Sequence, residues 1–436
     1  MAENFQLMTF IALLIFVILT VWELKLFFTP QVEWRMPYGS RATMRLSGKE
    51  ALIILMFATA YIGLTPVLSL RLGFLELLCI VGAIMVSSRV KLSWPMWLFM
   101  IFIVWEVIGL TYTVSLSYGI RMILKYIYPF LFAIFAARVV KDGVVMVSAA
   151  IWARRIATIA VCLTLIPPIR LLVGQFFWFH AALTTSIITM VIFSFTMVEF
   201  SDEKKKNLWW GLFFCLPCLI LVFRTDIFGT VVALATFFVL KYRVKGLPIA
   251  AALGILGLCS MFYIPAVKNK MFLRPNEVTL IDYVTGNYNE DNIRTNMRKF
   301  MWEDAEKRFY EGHELKGTGT GSIQHFFYEI ATDARRGGQM HNDFLVLKCD
   351  NGMIGLILFG LSYFAITLHC IYLYHKGRNT YTRMAAMVAG ASLMGVFVTM
   401  YSDNTLSYSM CTLSFPWGFY GMALGIESAD NEHLTQ

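Results

Sequence analysis

The chain has 436 residues, 58% of them hydrophobic and only 15% charged, with a net charge of +9 and a mean hydropathy of +0.64. A soluble protein of this size would carry far more surface charge. The Lys and Arg surplus lies in short knots between apolar runs, which argues against nucleic-acid binding and for a polytopic membrane protein with basic loops inside.

About 20 apolar residues of helix cross a hydrocarbon layer. By that measure twelve or thirteen spans are predicted, near 5–24, 50–70, 72–88, 93–113, 118–138, 156–173, 178–199, 208–222, 226–240, 247–266, 343–374, 383–401 and 408–426. The first run lacks a basic leader and a small-residue cleavage site, so it reads as a retained span. The segment 141–155 is ambiguous between a span and a helix lying along the inner surface. The expected fold class is therefore all-α, a multi-pass helical bundle.

The basic knots assign the faces. Arg35, Arg41, Arg45 and Lys49 form one, Arg89 and Lys91 another. Further knots are Lys204 to Lys206, then Lys241, Arg243 and Lys245, then Lys376, Arg378 and Arg383. Placing these loops in the cytoplasm puts the 223–226 turn, the 267–342 segment, the 401–408 turn and the N-terminus outside. Three regions follow: N-terminal membrane helices (1–266), an outer loop (267–342), and C-terminal membrane helices with a short cytoplasmic tail (343–436).

The loop is the departure from the plan. It holds eleven Lys/Arg and eleven Asp/Glu, and connections this long are usually functional. Within it Ile293, Met297, Met301, Ala305 and Phe309 recur at helical spacing. Asp291 or Asn292 is placed to cap that helix and Gly312 to end it. Arg294, Arg298 and Trp302 form a second stripe, four residues apart. A Gly-rich turn, "KGTGTGS" from Lys316, follows. Of the eight cysteines, Cys215 and Cys218 spell "CLPC", but inside a span this reads as helix packing rather than a redox pair. No disulfide framework is expected.

Several ionisable residues stand where a membrane protein would not place them idly. Arg224 opens a span on the loop's face, as a snorkelling side chain paired with Asp226 or as a ligand for an anion. Arg298 offers a planar fork beside the flat face of Trp302, which suits a phosphate next to a sugar or lipid. His341, with Asn342, sits at the start of a membrane helix, where free N–H groups favour an anion and an imidazole titrates near neutral pH. Lys348 and Asp350 lie roughly 10 and 13 Å deeper at 1.5 Å per residue. Asp350 is assigned a structural tie to a neighbouring helix, with Gly352 and Gly355 allowing close helix contact. Glu106, Arg121, Lys125 and Asp403 are weaker signals. The sequence has no Walker A motif and no Asp-x-Asp, and "GTGTG" is not a dinucleotide fingerprint.

Taken together, these residues resemble the O-antigen ligase and O-antigen polymerase superfamily of bacterial membrane enzymes. The resemblance rests on His341, Asn342, Leu345, Asp350, Gly352 and Gly355, then on Arg298 four residues before Trp302, the "GTGTG" run, and Arg224 at the start of an earlier span. The motifs cover about residues 215–360. The family usually has Glu where this chain has Asp350, and often Ser where it has Phe223.

The resemblance implies a GT-C-like membrane glycosyltransferase with a large outer loop over a lipid-facing cavity, working on glycans carried by a polyprenyl diphosphate. It implies catalytic roles for His341, Arg298 and Arg224. Asn342, Trp302, Arg294, Asp403, Arg121 and Lys125 would bind substrate. The partners it implies are a polyprenyl-diphosphate-linked oligosaccharide, an acceptor glycan, membrane lipids, a chain-length regulator and a flippase, with no cofactor, metal or nucleic acid. The expected activity is a polymerase on the outer face of the bacterial plasma membrane. A ligase transferring to lipid A core or protein is the alternative. A lipid-linked glycan transporter is a further one, although it predicts inverted repeats that this sequence lacks.

Overall fold

The computed structural model describes residues 2–35, 43–60, 62, 67–86, 90–166, 179–221, 224–294, 298–330 and 340–435. Helix α1 (Ala2–Phe28) leads into a hairpin of β1 (Gln31–Arg35) and β2 (Thr43–Ser47). Then come α2 (Gly48–Thr59), α3 (Leu68–Met85), α4 (Trp94–Gly109), α5 (Leu116–Val139), α6 (Gly143–Leu165), α7 (Phe179–Phe200), α8 (Lys204–Leu221), α9 (Arg224–Tyr242) and α10 (Leu247–Tyr263). The loop region carries the short helices α11 (Pro265–Met271), α12 (Leu280–Thr285), α13 (Arg298–Ala305) and α14 (Ser322–His325). The chain finishes with α15 (Asp343–Lys376), α16 (Thr380–Thr399), α17 (Ser409–Thr412) and α18 (Ser414–Thr435).

Lipid offers no hydrogen bonds, so a spanning segment must pair its backbone within itself, which a helix does. Among the described residues, seven helical runs are long and apolar enough to cross a membrane, and Trp94–Gly109 and Ile187–Phe200 are apolar but shorter. The expected spans at 226–240 and 247–266 form one apolar run, Arg224–Tyr263. The chain is an all-α multi-pass membrane protein.

Two local readings are corrected. The segment 141–155 does not lie apart on a surface. It is the first half of α6, whose N-terminus Asp142 caps by accepting from Val144 N at 2.9 Å. The two arginines that interrupt it are absorbed by packing. Arg154 donates to Asn207 Oδ1 at 3.0 Å and lies over the rings of Phe193 and Trp210, and Arg155 lies over Trp152. The loop 32–49 contains the hairpin, registered from Gln31 with Ser47 to Arg35 with Thr43. Its alternate residues Val32, Trp34, Met44 and Leu46 face the core, a period-2 pattern that basic neighbours hid.

Helix α16 is the hub, packed by α7, α9, α15 and α18. Its seam with α9 is glycine on glycine: a Cβ on Gly395 would lie 2.7 Å from the carbonyl oxygen of Gly229. Small residues let two backbones approach where lipid supplies no hydrophobic drive. That seam fixes α9, and with it Arg224 at its first turn, against the end of α16. Near the N-terminus, buried Arg71 of α3 pairs with buried Glu23 of α1.

The feature that places the loop is a break in α15. Gly352 has φ 64° and ψ −169°, a conformation open essentially to glycine alone. The helical ladder stops there, and the freed groups are taken up by the loop. Thr318 N donates to Cys349 O at 3.0 Å and Gly319 N to Asp350 O at 2.8 Å, while Met353 N donates to Glu314 O at 2.8 Å and Ile354 N to Leu315 O at 3.3 Å. The Asp350 carboxylate accepts from Gly321 N and Ile323 N, both at 2.9 Å. Buried Glu106 of α4 completes the clamp, accepting from Thr320 Oγ1 at 2.9 Å and from Asn351 Nδ2 at 2.7 Å.

Asp350 is thus tied to the loop rather than to a neighbouring membrane helix, as the sequence reading had it. A buried carboxylate needs donors, and helix backbones have none to spare, whereas a Gly-rich turn does. Gly355 lies against Trp105 of α4, at 3.2 Å for an added Cβ, but Gly352 serves the break.

Replacing Gly352 by Ala should be severe. A Cβ there would strike the Leu315 carbonyl, adding to the ~1–3 kcal/mol of a strained backbone. The expected outcome is a marked fall in thermal unfolding temperature of the detergent-purified protein. A Gly360→Ala control, where a Cβ meets nothing, should be near neutral.

Candidate functional site

The amphipathic helix of the loop begins later than its sequence suggested. Residues 295–297, including Met297, lie outside the described residues. Asn292 is engaged elsewhere. It is buried, and its side chain pins Arg274, accepting from N at 2.6 Å and donating to O at 3.0 Å. Helix α13 opens at Arg298, and a wider turn carries it through Tyr310, before Gly312 at φ 83°. Ala305 is buried, and Met301, Trp302 and Phe309 pack against the core. This fixes the other stripe over the turn between α16 and α17. Arg298 Nη1 donates to Ser402 O at 2.7 Å, and Trp302 Nε1 donates to Met340 O at 2.8 Å.

Arg224, the first residue of α9, reaches the same corner. Its Nη1 donates to Arg294 O at 3.1 Å, and its guanidinium feels the charges of Arg298 and Arg294. Next to it Thr225 Oγ1 and Ser402 Oγ share a hydrogen bond at 3.1 Å. Burial pulls the Arg298 guanidinium below the usual arginine range, and the Asp403 carboxylate opposes that pull. Arginine stays charged regardless. Like charges held close in a partly buried corner leave a strong positive potential, which an anion would neutralise.

His341 lies at the rim of this corner, at φ 50°. Asn404 holds it twice: His341 N donates to Asn404 Oδ1 at 2.7 Å, and Asn404 Nδ2 lies 3.1 Å from the ring Nδ1. Asp403 Oδ1 stands 3.5 Å from the same nitrogen. Asn342 caps α15, its Oδ1 accepting from Leu345 N at 3.0 Å. Buried Asp343 locks the start of α15 to the turn, its N donating to Met400 O and its Oδ2 accepting from Leu406 N, both at 2.8 Å.

The structure therefore gathers Arg224, Arg294, Arg298, Trp302, His341, Asn342 and Asp403 around one turn, 400–406. Lys125 stands within electrostatic reach of Asp343, while Arg121 lies over the Tyr118 ring at 5.0 Å, further out. Lys348 takes no part in the corner. It pairs with Glu306 of the loop helix and sits 4.0 Å from the Tyr310 ring centre. Sequence reasoning missed Asn404 and Asp343. Their one signal was adjacency, each following a residue already singled out. Among the described residues, no three His, Cys, Asp or Glu side chains are grouped to hold a metal ion.

No curated protein matches the chain. Residues 209–360 match the family model described as O-antigen ligase. That stretch holds Arg224, Arg294, Arg298, Trp302, the "GTGTG" turn clamped on α15, and the His341–Asn342 start of that helix. Through this segment the chain is similar to the O-antigen ligase family.

Proposed function

We propose that this protein is a polysaccharide polymerase. It transfers a glycan from a polyprenyl-diphosphate donor to the acceptor sugar of another lipid-linked repeat unit, on the outer face of the bacterial plasma membrane. The family match supports glycan transfer of the ligase or polymerase type. The observation that carries the reading is the convergence of Arg224, Arg294 and Arg298 beside His341 at the loop end of the bundle. Three guanidiniums there suit a diphosphate, whose charge grows as its bond to the sugar breaks. The basic connections lie at the other ends of these helices, which supports the outward orientation.

In the reaction an acceptor hydroxyl oxygen bonds to the anomeric carbon of the donor sugar. The bond from that carbon to the diphosphate oxygen breaks, and polyprenyl diphosphate departs. A single displacement inverts the anomeric configuration. The arginines supply the positive charge that a metal would otherwise give.

The role of His341 follows from its partner. A backbone N–H only donates, so the Asn404 atom facing His341 N is the carbonyl oxygen, and the amide nitrogen faces Nδ1. A neutral imidazole held that way carries its hydrogen on Nε2. His341 then donates to the leaving diphosphate rather than acting as a base. The proton of the acceptor hydroxyl passes to Asp403, the carboxylate beside the ring.

Purified protein in lipid bilayers, given only the lipid-linked repeat unit of its own host, should produce a ladder of longer lipid-linked glycans on a gel. A confirmed donor with no ladder, and transfer only when lipid A core or protein is added, would make it a ligase instead. Excess EDTA should leave the ladder intact. Arg298→Lys should slow it roughly 10²-fold, the usual cost of one charge-stabilising donor, because Lys lacks the bidentate fork. His341→Ala should fall similarly, and His341→Gln, which keeps an N–H, should stay about tenfold above it. Equal loss in both histidine variants would count against the donor role and favour His341 as a general base.

A further inference from the structure

An open crevice lies next to His341, lined by Met340 before it and by Asn404, which bonds it. Gln324, Tyr328, Asp343, Asn404 and Ser407 are its polar lining, and the rest of the lining is apolar.

The two compartments share a wall. Met340, whose carbonyl accepts from Trp302 Nε1, lines the crevice, and so does Asn404, which bonds the backbone N and the ring Nδ1 of His341. At the crevice mouth Tyr328 is exposed and stacks on Tyr118 at 6.1 Å and 12°. Tyr118 Oη donates to Glu329 Oε1 at 2.7 Å, and Arg121 lies over the Tyr118 ring. This pins the platform to the start of α5. Among the described residues that line the crevice none is a Lys or Arg.

We propose that this crevice is the subsite for the acceptor's terminal sugar, and that it delivers the attacking hydroxyl to the arginine corner across His341. The inference rests on the glycan-transfer reading above. A sugar ring presents an apolar C–H face and a rim of hydroxyls, each both donor and acceptor. An exposed tyrosine face matches the first, and a carboxamide, a carboxylate and a hydroxyl match the second. A diphosphate would find only the Asp343 carboxylate and neutral groups here, and a lipid tail would strand the polar wall. The geometry thus sets an arginine corner for the anionic donor apart from a crevice whose described lining holds no Lys or Arg, with Asn404 shared between them.

Kinetics on the full-length protein in bilayers test the division. The probes are the lipid-linked repeat unit as donor and a short-chain lipid analogue of the same unit as acceptor. Tyr328→Ala and Gln324→Ala should each raise the acceptor KM about tenfold, the loss of one stacking or hydrogen-bonding contact. They should leave the donor KM and the slow hydrolysis of donor by water unchanged, whereas Arg298→Lys should impair both of these. A raised donor KM, or an unmoved acceptor KM, in the crevice variants would overturn the assignment.

A binding readout keeps the subsite separate from the activity. The repeat-unit oligosaccharide, without lipid or diphosphate and carrying a diazirine, should crosslink to peptides containing 322–328 or 404–407. Untagged oligosaccharide should compete with it. Such labelling in a protein that transfers no glycan would sink the polymerase reading and keep the sugar subsite. Labelling confined to 298–302 or 224, or none, would sink the subsite.

Discussion

The site depends first on one interrupted helix. A membrane helix satisfies its own backbone, and it has nothing left with which to hold a polar loop. The turn at Gly352 changes that. It frees two carbonyls and two N–H groups inside α15, and residues 314–319 take all four. The exchange is close to neutral in hydrogen bonds, since every group lost from the ladder is regained in the loop. What it adds is position. The loop is joined to the bundle by main-chain bonds, which side-chain drift cannot loosen. Asp350, Asn351 and Glu106 then fill the remaining polar valences of the junction.

That anchoring makes a positive corner tolerable. Three arginines close together repel, and nothing in the local sequence of α13 would hold them there. They stay because each is tied by something other than charge: Arg298 and Arg224 to backbone carbonyls, Arg294 by its own N to Met271 O at 2.8 Å. The repulsion is carried by a scaffold whose stability comes from elsewhere, from the glycine seam of α9 with α16 and from the clamp on α15. A corner of this kind gains free energy when it binds an anion, and most when that anion's charge increases.

Much of this was legible in the sequence, for reasons that differ residue by residue. Helices were readable because lipid enforces them. Arg298 and Trp302 were readable because they lie on one side of a helix whose other side is apolar. His341 and Asn342 were readable as the start of a span. What escaped was non-local or masked. Asn404 meets His341 across 63 residues of chain, and no periodicity reports such a contact. Gly352 was read as a packing glycine because a sequence shows a missing side chain but not a φ angle. Lys348 and Glu306 are 42 residues apart and pair only because the loop folds back. The hairpin at 31–47 carried a clear alternation, overlooked because basic residues already accounted for the segment as a cytoplasmic loop.

The 400–406 turn emerges as the element that the sequence undervalued most. Only Asp403 in it stood out, yet four separate pieces of the site are registered on it. Arg298 is tied to Ser402 O, Thr225 to Ser402 Oγ, His341 to Asn404, and Asp343 to Met400 O and Leu406 N. His341 at φ 50° is a strained, non-glycine residue, and such a conformation persists only where its surroundings over-determine it. Here the residue itself and its second neighbour along the chain are both bonded to the turn, so the strain has no easy release. The consequence is a division of labour. The loop brings the arginines, the break in α15 holds the loop, and the turn between α16 and α17 sets the imidazole's angle and tautomer relative to both. A substitution in that turn would change the chemistry of His341 without touching it.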